Sequence, residues 1–162
     1  MGETMKISES EKLNMAIVHG NRAYQQWDQD HELSDYLSVI LYELLLRKKL
    51  TQKQLVGLTD LPKQSINKGI KILHDSGYLA MSVDPHDKRV RFCELTAAGN
   101  KYAKQKMQSL FRLEEQTAQK LGSEKMQLLT DLLTEWSNTF WDFLNRVPAK
   151  LDSQFLVDDP AD

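Results

Sequence analysis

Apolar residues recur at the spacing of α-helices along most of this chain, and they alternate as in β-strands in one short region only. Ser8 and Glu11 form a capping box that predicts the start of a first helix. That helix is predicted to run for about five turns because apolar residues recur at helical spacing, at Leu13, Ile17, Tyr24 and Trp27. A second helix, residues 35–48, is apolar on most sides and is therefore predicted to be buried.

Two more helices are predicted after Thr96, which is expected to cap the first of them. That helix extends to about Lys120, with inward-facing residues at Tyr102, Met107, Leu110, Leu113 and Leu121. Ser123 is predicted to cap the last helix, which carries a strong apolar stripe. The rest of one chain cannot cover both stripes, so a homodimer is predicted. The expected dimer contacts are Leu13, Ile17, Leu129, Leu133, Trp136, Phe140 and Leu144.

Between these helices, residues 51–75 have the spacing of a helix-turn-helix. A Thr51–Gln54 capping box predicts the first short helix, and Pro62 stands where the second begins. In the second helix Ile66, Ile70 and Leu73 form a core stripe, which leaves polar residues on the other faces. Amides and hydroxyls can bind base edges and lysines can bind phosphates. The predicted DNA-binding residues of this helix are Lys63, Gln64, Ser65, Asn67, Lys68 and Lys71.

A β-hairpin is predicted after Gly77, a residue suited to ending a helix in the left-handed conformation. Residues 78–83 and 90–95 are its two extended runs, and the segment between them contains the turn-forming residues Asp84 and Pro85. The tip of this hairpin, or wing, is exposed to solvent and could enter a minor groove. The predicted contacts are His86, Asp87, Lys88 and Arg89.

The order of these motifs resembles the MarR family of bacterial regulators over about half of the chain. The resemblance rests on Leu-Thr-x-x-x-Leu at the start of the helix-turn-helix and on its second helix, the recognition helix of the family. Three segments around the wing follow: Gly77-Tyr78-Leu79, Asp84-Pro85-x-Asp87-x-Arg89 and Leu95-Thr96-x-x-Gly99. It implies that Arg89 enters the minor groove and that Asp87 orients it. The chain departs from the family at Met81 and Ser82, where arginine is usual, and at Gly69, where a larger apolar residue is usual.

The same resemblance implies a dimer in which the first and last helices of two subunits interlace. It also implies an effector pocket between the dimerising helices and the winged helix. Four aromatic residues of the first two helices are candidates for lining that pocket, although aromatics at helical spacing also occur as core residues: Tyr24, Trp27, Tyr36 and Tyr42.

Charge is unevenly distributed along the chain, although the formal net charge is only −2. Residues 47–104 hold 12 basic and 5 acidic side chains, whereas the other segments hold 9 basic and 18 acidic ones. The basic part coincides with the helix-turn-helix and favours DNA as the partner, the competing interpretation being an ordinary solvated surface.

Other kinds of site have little support in the sequence. The four histidines are scattered, and no catalytic, phosphate-loop or metal-binding motif occurs, so we predict no enzyme activity, cofactor or metal. The single cysteine, Cys93, predicts a reducing cytoplasm and is expected to pack in the wing's core, the alternative being an oxidant sensor. No apolar run reaches the roughly 18 residues of a membrane span.

These observations predict a mainly α fold with a small β-hairpin wing, in which residues 1–162 form one domain. Residues 33–96 are assigned to the winged helix-turn-helix, residues 8–30 and 97–146 to dimerisation, and residues 149–162 to a disordered tail. The predicted function is a dimeric repressor that binds an inverted repeat in double-stranded DNA and is released by a small molecule. The alternative is a winged-helix protein-interaction module without specific DNA binding.

Overall fold

A computed structural model describes residues 6–59 and 61–146 of the chain. Helices and a small sheet alternate along these residues, in the order α1 (Glu9–Asp30), α2 (Asp35–Arg47), β1 (Lys49–Thr51), α3 (Gln52–Gly57), α4 (Lys63–Asp75), β2 (Leu79–Val83), β3 (Arg91–Leu95), α5 (Ala97–Leu121) and α6 (Ser123–Arg146). The chain divides into two compact units, one ending at Arg112 and the other beginning at Leu113. The predicted tail, residues 149–162, lies outside the described residues.

Local side-chain hydrogen bonds set the starts of several helices. The amide of Glu11 donates to Ser8 Oγ at 3.2 Å and the amide of Ser8 donates to Glu11 Oε2 at 2.6 Å, which confirms the predicted capping box of α1. The Thr51–Gln54 box of α3 is confirmed in the same way. Ser34 occupies the N-cap position of α2, but its side chain makes no capping hydrogen bond.

The core of the first unit is built around α2. Its buried residues Ile40, Leu41 and Leu44 belong to one apolar cluster with Ile66 and Leu73 of α4. The same cluster takes in residues of α3, the sheet and α5, namely Leu55, Leu79, Cys93, Leu95, Ala103, Met107 and Leu110. Of the 13 residues of α2, five are buried and five are partly buried, which agrees with the predicted burial, but Leu46 is exposed.

The sheet has three antiparallel strands in the order β1-β3-β2, so the predicted hairpin is confirmed and one strand was missed. Lys48 has a φ of 69° where the chain leaves α2, and β1 then pairs Leu50 with Cys93. Gly77, with a φ of 75°, ends the turn after α4 as predicted.

Two glycines permit close packing between elements. A Cβ at Gly99 would lie 1.8 Å from the carbonyl oxygen of Tyr78, so only glycine allows the start of α5 to approach β2. A Cβ at Gly69 would lie 2.6 Å from Cδ1 of Ile40 and 2.9 Å from Cδ2 of Tyr36. Gly69 therefore lets α4 pack closely against α2, which explains the departure from the family's larger residue.

In the second unit, α6 has no buried residue. Its leucines and aromatic residues are between 38% and 62% exposed, among them Leu133, Trp136 and Phe140. Leu113 and Leu121 of α5, which were predicted to face inwards, are exposed as well. Ser123 is the first residue of α6 instead of its predicted cap, and the carbonyl of Gly122 accepts the first helical hydrogen bond, from Met126.

Candidate nucleic-acid interface

The outer face of α4 is polar because its inner face is fixed by the core. The buried residues of α4 are Ile66, Gly69, Ile70 and Leu73. Because successive residues of a helix are rotated by 100°, these four share one side and leave the opposite side to other residues. The side chains exposed there are those of Gln64, Lys68 and Lys71. Pro62 stands at the N-cap of the helix, one residue before the predicted first turn.

Asn67 and Ser65 are less available than the sequence suggested. Both are partly buried, and Oδ1 of Asn67 accepts a hydrogen bond from Nε2 of Gln52 in α3. An amide binds an adenine edge with both its oxygen and its NH2 group. Asn67 must therefore leave Gln52 before it can make that pair of hydrogen bonds, whereas Gln64 makes no side-chain hydrogen bond to the described residues.

The lysines of α4 have neighbours of their own. Lys68 Nζ lies 5.4 Å from the centre of the Tyr36 ring, a cation–π contact. The pKa of Tyr36 is lowered, first by a hydrogen bond with Ser34 and then by Lys68. Lys71 Nζ lies 2.5 Å from Asp75 Oδ2 in an exposed ion pair, which contributes little to stability.

The wing tip is ordered by two aspartates. Asp84 Oδ1 accepts the amides of His86 and Asp87 at 2.7 and 3.0 Å. Asp87 Oδ1 accepts the amide of Arg89 at 3.0 Å and lies 3.6 Å from Arg89 Nε. The Arg89 side chain is 95% exposed, so Asp87 holds the base of an arginine that extends into solvent.

A cleft of about 670 Å³ lies between the wing, α3 and the start of α4. Among the described residues, four basic side chains and no acidic one line it: Lys53, Lys63, Arg89 and Arg91. Sequence reasoning missed Lys53 and Arg91. Arg91 shares a strand face with the buried Cys93, two residues on, and this alternation could have indicated that it lies at the rim of the core.

A second cavity, of about 550 Å³, lies between α1 and α2 and is referred to below as the α1–α2 cavity. Of the four aromatic residues proposed for an effector pocket, Tyr24 and Tyr42 line this cavity and Trp27 and Tyr36 do not. Trp27 is buried, donates from Nε1 to Ser109 Oγ at 3.3 Å and stacks on His31 with ring centres 4.2 Å apart. The four candidate aromatic residues therefore do not all line this cavity.

Cys93 is fully buried, in agreement with its predicted place in the core, and burial raises the pKa of its thiol to about 11. A thiol of this kind is a poor nucleophile at neutral pH. Within residues 6–59 and 61–146 no three histidine, cysteine or acidic side chains gather as a metal site would require. In the same ranges no helix is long and apolar enough to cross a membrane.

Comparison with solved structures identifies the architecture. A MarR family regulator from Neisseria meningitidis superposes with a TM-score of 0.74, covering 85% of this chain and 97% of that chain at 22% identity. This chain has the fold of the MarR family. No protein-family model matches the sequence, and neither does any curated protein.

Two other solved structures of this fold are of proteins that interact with small molecules. NadR in complex with 4-hydroxyphenylacetate is 21% identical, covers 84% of this chain and 96% of that chain, and has a TM-score of 0.69. Bordetella bronchiseptica BpsR, whose DNA binding is regulated by 6-hydroxynicotinic acid, is 20% identical, covers 85% and 98%, and has a TM-score of 0.61. At these identities the likeness of all three structures establishes the MarR fold and nothing finer.

Proposed function

We propose that this protein is a MarR-type transcriptional regulator that binds specific sequences in double-stranded DNA as a repressor. The observation that carries the proposal is the cleft between wing and recognition helix, where the described lining has four basic side chains and no acidic one. Contacts between basic side chains and phosphates supply much of the affinity of proteins for DNA, so a DNA-binding surface needs positive charge. The formal net charge of the whole chain, −2, gives no other reason for cations to collect there.

In the proposed complex α4 lies in the major groove and the wing follows the adjoining minor groove. Gln64 reads base edges from the exposed face, Lys63 and Lys68 neutralise phosphates, and Arg89 enters the minor groove. His86 and Lys88, both exposed at the wing tip, lie near the backbone. These roles remain predictions for each residue.

A homodimer is part of the proposal, since two recognition helices are needed for an inverted repeat. Its support is the apolar stripe of α6, which is exposed in the part of the chain that the structure describes. Leu129, Leu133, Trp136, Phe140 and Leu144 are the proposed contacts, together with the partly buried Leu13 and Ile17 of α1. An effector is also proposed, because the α1–α2 cavity is large enough for one and because small molecules bind NadR and regulate BpsR.

Selection from a random duplex pool with the purified protein tests the central proposal. We expect enrichment of an inverted repeat whose half-sites are about one helical turn apart. Arg89→Ala and Lys63→Ala should each reduce the slope of log affinity against log salt by about one unit. Lys125→Ala on α6 is the matched control and should leave the slope unchanged. A pool without enriched sequences would contradict specific DNA binding.

The alternative, a protein-interaction module, is favoured by one observation, namely the same exposed stripe of α6. It predicts that loss of the cleft's basic side chains has no effect on binding to any duplex. The salt titrations of Arg89→Ala and Lys63→Ala therefore separate the two functions.

A further inference from the structure

The described lining of the α1–α2 cavity is acidic. Asp28 of α1 and Asp35 and Glu43 of α2 contribute carboxylates, and no lysine, arginine or histidine is among the described residues that line the space. Glu43 is paired with Arg47, whose Nε lies 2.7 Å from its Oε2. Asp35 is exposed at the start of α2, where its Oδ1 accepts the amide of Tyr36 at 2.7 Å. Within the described lining, no basic side chain neutralises Asp28 or Asp35.

Asp28 is the residue that most needs a partner. Its Oδ1 is buried and makes no hydrogen bond to the described residues, while Ser38 hydrogen-bonds to the carboxylate. Burial raises the pKa of this carboxyl, and the charge of Asp35 raises it further. His31 opposes this effect from outside the cavity, but its ring nitrogens are engaged by the Trp27 carbonyl and Ser109. A buried carboxylate is costly unless a cation or hydrogen-bond donors offset its charge.

The rest of the cavity suits an organic molecule. Tyr24, Tyr42, Val39, Leu61 and Leu110 supply aromatic and aliphatic surface. The volume of about 550 Å³ falls in the range of about 300–1,000 Å³ that is typical of small-molecule sites. Tyrosine faces also attract cations, so the aromatic walls and the carboxylates favour the same charge on a ligand.

We propose that the α1–α2 cavity binds an organic monocation, an amine with an aromatic or aliphatic body, whose ammonium group lies beside Asp28 and Asp35. The positive charge of the proposed ligand is opposite to the charge of 4-hydroxyphenylacetate, the molecule bound by NadR. The binding of this ligand is inferred from the cavity alone, whereas any effect of the ligand on transcription rests on the proposed function.

Isothermal titration of the full chain with three molecules that share one ring tests the ligand's charge. Tyramine is the cation, 4-hydroxyphenylacetamide the neutral form and 4-hydroxyphenylacetate the anion. We expect tyramine to bind at least about tenfold more tightly than the anion, because a charged hydrogen bond is worth a factor of that order. Tryptamine, a larger amine, should bind as well.

Asp28→Asn should lower the affinity for tyramine about tenfold and remove the preference over the anion, since the amide keeps the shape of the carboxylate without its charge. Asp30→Asn is the matched control, because Asp30 lies on the same helix, bonds to Gln26 and does not line the cavity. Circular dichroism and a thermal melt determine whether both variants are folded. If Asp28→Asn is unfolded, Asp35→Asn takes its place in the test.

Three results would overturn the proposal: an equal or tighter affinity for the anion, an unchanged affinity in the folded Asp28→Asn or Asp35→Asn variant, or no binding of either amine at millimolar concentration. These titrations contain no DNA. A failure of the cation proposal therefore leaves operator selection unaffected, and a failure of operator selection leaves the titrations interpretable.

Discussion

Gly69 shows how one missing methyl group positions α4. A Cβ there would lie 2.6 Å from Cδ1 of Ile40, and Ile40 is fully buried and has little room to move. Glycine inside a helix costs about 1 kcal/mol relative to alanine, whereas overpacking a core costs roughly 1–3 kcal/mol. The close approach of α4 to α2 therefore outweighs the loss of helix propensity.

We predict that Gly69→Ala lowers the free energy of unfolding by up to roughly 2 kcal/mol, because overpacking exceeds the gain in propensity. Gly20→Ala in α1 is the control, since a Cβ there meets no atom within 4 Å, and it should stabilise the protein by about 1 kcal/mol. Urea denaturation of both variants measures the difference. Equal stabilisation by the two substitutions would show that the α2–α4 contact is loose.

Cys93 gives stability a dependence on alkaline pH. Its pKa is about 11 in the folded chain against an ordinary 9.0, so the unfolded state loses its thiol proton first. The stabilisation is complete below pH 9 and disappears as pH rises through 11. Between pH 8 and 10.5 we expect the wild type to lose roughly 2 kcal/mol more than Cys93→Ala, measured by urea denaturation. Parallel losses in the two proteins would contradict this.

At the scale of elements, we expect some side chains of α4 to contact bases and others to support the helix. Gln64 is exposed on the outer face, while Asn67 is tied to Gln52 of α3. We predict that Gln64→Ala costs roughly 1–3 kcal/mol on the selected operator and relaxes one base position. Asn67→Ala should instead lower stability and weaken binding to operator and scrambled duplexes alike. Titrations against both duplexes measure this, and a loss of base preference in Asn67→Ala alone would reverse the assignment.

Elements were predictable where neighbouring residues determine them. The capping boxes at Ser8 and Thr51 each lie within four residues, and the buried stripe of α4 follows from helical spacing alone. β1 was missed because three residues are too few to show alternation, and its pairing with β3 depends on residues far along the chain.

The sites were predicted less completely than the elements. Helical spacing indicates which face of α1 and α2 an aromatic residue occupies but not which neighbour covers it, so it could not indicate that Tyr24 and Tyr42 line the α1–α2 cavity while Trp27 and Tyr36 do not. The basic cleft is formed by side chains from α3, α4 and β3, and it becomes visible only when these are brought together.

At the scale of the whole molecule, the proposed dimer is tested on the stripe of α6. Leu133→Glu with Phe140→Glu should give a monomeric or unfolded protein, because charges would replace buried apolar contacts. Asn138→Glu, an exposed position on the opposite side of the same helix, is the control and should leave the assembly unchanged. Sedimentation at micromolar concentration measures the mass. A folded monomer of the wild-type chain would contradict the dimer.

Helix α2 is at once a wall of the α1–α2 cavity and the surface on which α4 rests. Asp35 and Tyr42 line the cavity, whereas Ile40 and Tyr36 meet Gly69 with no room for a methyl group between them. Coupling between two binding sites is reciprocal. If a molecule in the cavity lowers the affinity of the protein for operator DNA, operator DNA must lower the affinity of the protein for that molecule by the same factor. Free protein and operator-bound protein would then respond to different concentrations of one signal.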